Sequence, residues 1–280
     1  MSFDLYNAAK KNILIVAHRG ASGGNIPCNT STAYEIALKQ GADMIEIDAN
    51  MTADGVLVIF HPKEEPHHLN LTGKYIPEMT WEEVSALRYV NYDRAPTQFG
   101  VMRFDDLMEQ FKGRCFINVD KFWDHPKEIY DAIKRHNMLD QIVVKSSPSE
   151  KVFKVLKELA PELPYIPIVS QTHPMHEEFM KSGINYVGAE VLFTSDDDEV
   201  ASDAFIEKMH RDGKLVWANS IIFNYKRQLS AGHSDDTALS EDMEKGWGWL
   251  ANKNFDIIQT DWPLMLINYL KETNRYYRNL

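Results

Sequence analysis

Ile13-Leu14-Ile15-Val16-Ala17-His18-Arg19-Gly20 is a short apolar run that stops abruptly at polar side chains and a glycine. A helical pattern follows over residues 30–40, closed by Gly41. A second run then begins, Met44-Ile45-Glu46-Ile47-Asp48-Ala49-Asn50. A strand, a helix and a further strand at this spacing form the βαβ unit of a parallel sheet. The rhythm continues outward from it, with strand-like runs at 115–121, 142–146, 165–169, 186–189, 215–219 and 256–260. Helical patterns lie at 126–136, 149–159, 174–182, 201–212, 240–252 and 263–273. Ser149 before Glu150, and Asp261-Trp262-Pro263, are good helix starts, while Gly183 and Gly213 fall where helices should stop. Eight strand–helix alternations predict an α/β fold, a TIM (β/α)8 barrel. A doubly wound open sheet is the alternative, but the chain has neither a Gly-rich dinucleotide turn nor a Walker loop.

The expected organisation is one barrel domain over residues 1–280, with a small insertion after the second strand at about 62–104. That segment carries Pro62, Pro66, Pro77 and Pro96 and a helix-like stretch at 80–88. Loops that follow barrel strands build the catalytic face, so the insertion is expected to overhang the site and shape substrate choice. Residues 220–238 form a second break, polar and holding His233, Asp235 and Asp236, with a solvated loop as the default reading.

The formal net charge of -11 argues against a nucleic-acid surface, which needs clustered Lys and Arg. A small anionic substrate is compatible with it, because salt screens distant charge and one local cationic pocket decides. No apolar stretch approaches the length of a membrane span, and the start has no basic region ahead of an apolar core. Cys28 and Cys115 are the only cysteines, and a cytoplasmic protein with free thiols is expected.

Side chains at i and i+2 of a strand share a face. Glu46 and Asp48 therefore project together, and on the inner face of a barrel they would repel unless a cation lay between them. They are hard oxygen ligands suited to Mg²⁺ or Ca²⁺. Asn118-Val119-Asp120 repeats the arrangement on the next strand, which makes Asp120 the candidate third ligand. His18 and His61 end strands and are candidates for an acid–base pair, and Arg19 for the grip on an anion. A metal, an anion grip and two imidazoles together point to hydrolysis of a phosphate ester. Lys145, at the end of the fourth strand, is a candidate for stabilising charge on the phosphate. Trp217 is a candidate wall for an alcohol moiety, with packing as its other reading. Glu190 and Gln171 end strands six and five within reach of a substrate.

The blocks Ala17-His18-Arg19-Gly20-Ala21-Ser22-Gly23, Asn29-Thr30, Gly41-Ala42-Asp43-Met44-Ile45-Glu46-Ile47-Asp48, Thr52-Ala53-Asp54-Gly55 and Val58-Ile59-Phe60-His61 closely resemble the glycerophosphodiester phosphodiesterase family. Asn118-Val119-Asp120, Val216-Trp217-Ala218-Asn219 and Ile257-Ile258-Gln259-Thr260-Asp261-Trp262-Pro263 support the likeness along the chain. The resemblance implies a TIM barrel with one divalent cation on Glu46, Asp48 and Asp120. It implies that His18 and His61 act as acid and base and that Arg19 holds the phosphate of a small-molecule phosphodiester. It further implies attack by the glycerol 2-hydroxyl on phosphorus, loss of the alcohol, and opening of a cyclic phosphate by water. The alternatives are a phospholipase D-like lyase that stops at the cyclic phosphate, and a non-catalytic phosphodiester-binding protein on the same scaffold.

Two departures from the family pattern stand out. Pro27-Cys28-Asn29-Thr30 replaces the usual Pro-Glu-Asn-Thr, removing a carboxylate that would support Arg19. The family's lysine two residues after the third ligand is replaced by Phe122, and Lys121 is one residue early. Strand parity aims Lys121 away from the interior, so Lys145 is expected to supply the missing positive charge.

Overall fold

The computed structural model describes residues 3–224 and 227–278. Its strands are β1 (Leu14–Ala17), β2 (Met44–Met51), β3 (Leu57–Ile59), β4 (Met102–Arg103), β5 (Phe116–Asp120), β6 (Ile142–Ser146), β7 (Tyr165–Ser170), β8 (Gly188–Leu192), β9 (Leu215–Asn219), β10 (Ile222–Asn224), β11 (Arg227–Gln228) and β12 (Ile257–Thr260). Eight of them pair in parallel in the order β1-β2-β5-β6-β7-β8-β9-β12, and β12 returns to β1 to close the barrel. The expected TIM barrel is the fold.

Strand parity sorts the core into two clusters. Ile13, Ile15, Ile45, Ile47, Ile117, Val119, Val216 and Ile258 face outward and pack under the helices. Leu14, Val16, Met44, Phe116, Val143, Leu215, Trp217 and Ile257 have the opposite parity and fill the barrel interior. Helix α1 (Leu5–Lys11) seals the amino-terminal end, with Leu5 and Ala9 joining the interior cluster and Tyr6 Oη donating to the Val187 carbonyl. Toward the carboxyl ends of the strands the same inward parity carries Glu46, Asp48, Asn118, Lys145, Asn219 and Gln259, all buried. The barrel is therefore apolar at its base and polar at its mouth.

The remaining helices are α2 (Ser31–Lys39), α3 (Glu65–His68), α4 (Trp81–Ser85), α5 (Phe104–Phe111), α6 (Pro126–His136), α7 (Glu150–Leu159), α8 (His176–Lys181), α9 (Asp203–Arg211), α10 (Asp235–Ser240), α11 (Trp249–Asn252) and α12 (Pro263–Glu272). Helix α5 was not expected from the sequence, although Phe104, Leu107, Met108 and Phe111 are an i, i+3, i+4, i+7 apolar stripe and are all buried. Where one helix was expected over 240–252, α10, a π-helical turn (Glu244–Gly248) and α11 stand instead. The sixth barrel strand was expected over 186–189 with Glu190 at its end, but it runs over Gly188–Leu192. A charge does not end this strand because Lys145 neutralises it inside the barrel.

Beyond Asp48, β2 leaves the barrel, turns at Asp54-Gly55 and returns as β3, pairing Ala49 with Ile59 and Met51 with Leu57. Gly55 takes the positive φ of 84° that the turn requires. The insertion closes over its own small core of Val58, Phe60, Ile76, Val84 and Tyr89. No helix among the described residues is long and apolar enough to cross a membrane.

Candidate active site

The loop after β1 is set by backbone conformation. Arg19 and Gly20 both have positive φ, 54° and 82°. A Cβ on Gly20 would lie 2.8 Å from the Ala33 carbonyl carbon of α2, so only glycine fits this close approach. The turn points the Arg19 backbone N–H at Glu46 Oε2, 2.9 Å away, and brings Arg19 Nε within 2.8 Å of Asp48 Oδ2. Asn29 also has positive φ, and its Nδ2 donates to Asp48 Oδ2 over 2.8 Å while Tyr34 Oη donates to its Oδ1.

The register of β2 on β5 pairs Glu46 with Asn118 and Asp48 with Asp120. It brings carboxylate oxygens of Glu46, Asp48 and Asp120 within 4.8 Å of one another. Burial, and then Asp48, push Glu46 up to about 7. Burial works against the charge of Asp48 too, but Arg19, Lys121 and His61 hold it down to about 2. Asp48 Oδ1 and Asp120 Oδ1 are buried acceptors without a hydrogen-bond donor among the described residues. Three hard oxygens, two of them unsatisfied, fit a divalent cation and leave Glu46 without a better reason to be ionised. A second acidic grouping, His176 with Glu177 and Asp212, does not fit one, since both His176 nitrogens are engaged by Tyr186 and Asp212.

His18 follows β1, and its Nδ1 donates to Asp261 Oδ1 over 2.8 Å. Burial alone would lower the His18 pKa, but the hydrogen bond and charge of Asp261 outweigh it and raise it. Asp261 is itself braced by a buried carboxylate. Asp235 accepts from the Asp261 backbone N–H, Ser220 Oγ, Thr260 Oγ1 and Trp247 Nε1, all between 2.7 and 2.8 Å. The sequence reading left Asp235 in a solvated loop. It is 3% exposed and anchors that loop to the end of β12.

His61 lies 3.9 Å from Asp48 Oδ1 through Nε2. Its Nδ1 is 3.0 Å from the Pro62 carbonyl, which can only accept, so the proton resides on Nδ1 and the Nε2 lone pair is free. Burial, with Arg19 and Lys121 adding to it against the pull of Asp48, lowers the His61 pKa. The two imidazoles therefore differ in charge preference, His18 toward the cation and His61 toward the neutral base.

Four sequence expectations need correction. Lys121 does not point away: its Nζ is 2.5 Å from Asp120 Oδ2 and 3.7 Å from Asp48 Oδ1. The strand ends at Asp120 and Lys121 is left-handed, with φ 62°, so strand parity no longer governs it. Lys145 is not the substitute charge at the mouth. It is buried in an ion pair with Glu190 at 2.7 Å, near Gln259, with its Nζ 4.4 Å from the Trp217 ring centre. Trp217 is fully buried in the barrel interior and walls no open pocket. Glu190, which was expected near substrate, is occupied by Lys145 and by Asn219 Nδ2 at 2.7 Å. Breaking such a pair leaves an uncompensated buried charge, so Lys145→Met is expected to lower stability by about 3–5 kcal/mol. Urea unfolding checks this, and adding Glu190→Leu should recover most of the loss.

Cys28 lines the same cleft as Arg19, with Sγ 4.0 Å from His68 Nε2. Burial pushes its thiol up to about 12, which disfavours the charged thiolate that could stand in for a carboxylate. Asp48 and Asn29 supply the local bracing for Arg19 that a carboxylate at residue 28 would otherwise share.

Fold and site together define a (β/α)8 barrel with three convergent carboxylates, an arginine and two unlike histidines at the carboxyl ends of its strands. The chain belongs to the Glycerophosphoryl diester phosphodiesterase family, whose sequence model matches residues 18–218. It is 27% identical over 177 residues to a glycerophosphodiester phosphodiesterase of Bacillus subtilis, covering 56% of this chain and 59% of that protein. It is 29% identical over 161 residues to one from Caldanaerobacter subterraneus, covering 54% and 64%. The chain thus spans about three fifths of the length of the curated relatives it matches. The fold is shared with a glycerophosphoryl diester phosphodiesterase from Parabacteroides distasonis, at a TM-score of 0.79 and 19% identity, covering 96% of this chain and 91% of that one. It is also shared with an Oleispira antarctica phosphodiesterase in complex with the product sn-glycerol-3-phosphate, at a TM-score of 0.65 and 20% identity, covering 93% and 97%.

Proposed function

We propose that the protein is a divalent-cation-dependent phosphodiesterase that hydrolyses glycerophosphodiesters to glycerol 3-phosphate and an alcohol. The observation that carries this reading is the pairing of unlike histidines around one acidic cluster. Asp261 raises the His18 pKa toward the cation, while burial lowers that of His61, which bonds the Pro62 carbonyl through Nδ1 and turns Nε2 toward Asp48. Glu46, Asp48 and Asp120 would hold Mg²⁺ or Ca²⁺. The cation would neutralise charge on the phosphate and fix its orientation.

The terminal guanidinium nitrogens of Arg19 have no hydrogen-bond partner among the described residues and are available to a phosphate oxygen. His61 Nε2 takes the proton from the glycerol 2-hydroxyl as its oxygen attacks phosphorus. The P–O bond to the alcohol breaks, and His18 Nε2 delivers a proton to the departing oxygen. The cyclic phosphate that results is opened by water with the proton transfers reversed, His18 now acting as base and His61 as acid. The free thiols of Cys28 and Cys115 suit a reducing, cytoplasmic setting, and the reading treats residues 1–280 as one barrel domain.

The test is turnover of glycerophosphocholine, followed by phosphorus NMR, with Mg²⁺, Ca²⁺ or a chelator present. The expected products are glycerol 3-phosphate and choline, with no turnover under chelation. A cyclic phosphate that persists would identify a lyase instead. Cation binding without turnover of any glycerophosphodiester would overturn the catalytic reading.

A further inference from the structure

The buried carboxylate of Asp235 divides its two oxygens between different tasks. Oδ1 accepts from Ser220 Oγ just past β9, from Trp247 Nε1 of the π-helical turn and from Thr260 Oγ1 at the end of β12. Among the described residues Oδ2 accepts from one group, the backbone N–H of Asp261, at 2.8 Å. Three bonds to a single oxygen already tie the three elements together. An asparagine presents the same carbonyl oxygen and has no charge to desolvate, so a strut alone does not call for a carboxylate. The second oxygen is what the aspartate adds, and it goes to Asp261.

Asp261 needs such support. It follows the last residue of β12, where the strand ladder ends, and its side chain is half exposed. A carboxylate in that setting samples several rotamers unless its backbone is held, and His18 Nδ1 depends on it. The turn is clipped on each side of Asp261. Thr260 Oγ1 donates to Asp235 and accepts from the Trp262 N–H over 2.9 Å. The Thr260 carbonyl in turn accepts from the His18 N–H over 3.1 Å. Asp235 thereby fixes both the residue that His18 bonds and the strand end that His18 lies against.

We propose that Asp235 is a positioning residue for His18: its Oδ2 sets the Asp261 carboxylate, and through it the aim of His18 Nε2 at the departing oxygen. It touches no reacting atom. The proposal rests on the phosphodiesterase reading, in which His18 delivers a proton to the alcohol that leaves. Loss of the Oδ2 bond slows that delivery and spares the carboxylate cluster, Arg19 and His61, which the bonds of Asp235 do not reach.

Two esters, with Mg²⁺ present, read the aim of His18. Glycerophosphocholine loses an alkoxide that needs a proton, whereas glycerophospho-p-nitrophenol loses a stable phenolate that leaves without one. Single turnovers isolate this bond-breaking step from ring opening. Asp235→Asn can keep the three bonds to Oδ1 and then sets an amide nitrogen against the Asp261 N–H. Cleavage of glycerophosphocholine is expected to slow about tenfold to a hundredfold, with the half-saturating concentration unchanged and the aryl ester within about twofold of wild type. His18→Ala should show the same selectivity at its full extent. Trp247→Phe removes a donor to Oδ1 from outside the turn, so it loosens the fold and should leave the ratio of the two rates at its wild-type value. Thr260→Val frees the same turn from Oδ1 and should shift the ratio in the same sense as Asp235→Asn, so it carries the test if that variant folds poorly. Equal losses on both esters in these turn variants, or a ratio that moves as far in Trp247→Phe, would overturn the proposal. Equal losses in His18→Ala would remove the acid assignment and the proposal with it. Wild type that cleaves neither ester would remove the phosphodiesterase reading itself.

Discussion

His18→Ala is expected to lower kcat/KM for glycerophosphocholine by about 10³-fold, within the 10²–10⁴ typical of a positioned acid–base group. Divalent-cation affinity should change little, because His18 touches none of the three carboxylates and its bonded partner is Asp261. Asp261→Asn probes the same group more finely. Asp261 raises the His18 pKa against the effect of burial, and the proposed bond-breaking step uses a protonated His18. Activity is then present below that pKa and lost as pH rises through it. Removing the Asp261 charge should move this alkaline limb to lower pH and reduce the plateau by less than His18→Ala does. A pH–rate profile read to both sides of neutrality separates the outcomes. An unchanged limb in Asp261→Asn would mean that another group supplies the proton.

The sequence was most legible where strand alternation governs. Parity on β2 and β5 placed Glu46, Asp48 and Asp120 together, and their carboxylates do converge. The βα rhythm likewise revealed the barrel, through apolar runs alternating with helical patterns along the chain. Legibility failed where the strand stops. Lys121 is one residue past β5 in a left-handed conformation, and no periodicity foretells a side chain that turns back over the residue before it. Lys145 and Trp217 were placed on the correct inner face, but parity gives a face and not a depth. Pairing with Glu190 keeps Lys145 below the mouth, and the whole Trp217 side chain is enclosed. Asn29 and Asp235 act through long-range hydrogen bonds, to Asp48 across 19 positions and to Asp261 across 26. Asn29 carried a local signal, as asparagine tolerates the positive φ this loop demands. Asp235 carried none, because an aspartate within a polar stretch reads as a solvated loop residue.

Asp48→Asn tests the centre of the site, and its largest effect is expected on cation binding rather than on folding. Asp48 is contacted by Arg19, Asn29, Lys121 and His61, so it organises the pocket as well as offering a candidate ligand oxygen. In the cation-free protein two effects oppose each other. The substitution leaves Arg19 and Lys121 with less compensating charge, yet it relieves the repulsion that helps to push Glu46 up to about 7. With cation present they no longer balance, because two carboxylates cannot replace three as a hard-ligand set. Wild-type protein should gain about 2.7 kcal/mol at a cation concentration near 100 times Kd. That corresponds to a rise of roughly 5–10 °C in Tm at about 2–4 °C per kcal/mol. Asp48→Asn should show almost none of this rise, and its turnover should fall to the uncatalysed background. The pH dependence has a definite sign. Glu46 must lose its proton to bind a cation, so wild-type affinity should fall about tenfold per unit as pH drops below about 7. Removing the neighbouring charge should return Glu46 toward the ordinary carboxylate range and displace that limb to lower pH, whatever affinity remains. Thermal melts across pH with and without Mg²⁺ read both effects. A variant that keeps the wild-type cation-induced rise would mean that the three carboxylates are not the ligands, and Asp48 would then serve only to hold Arg19 against the phosphate.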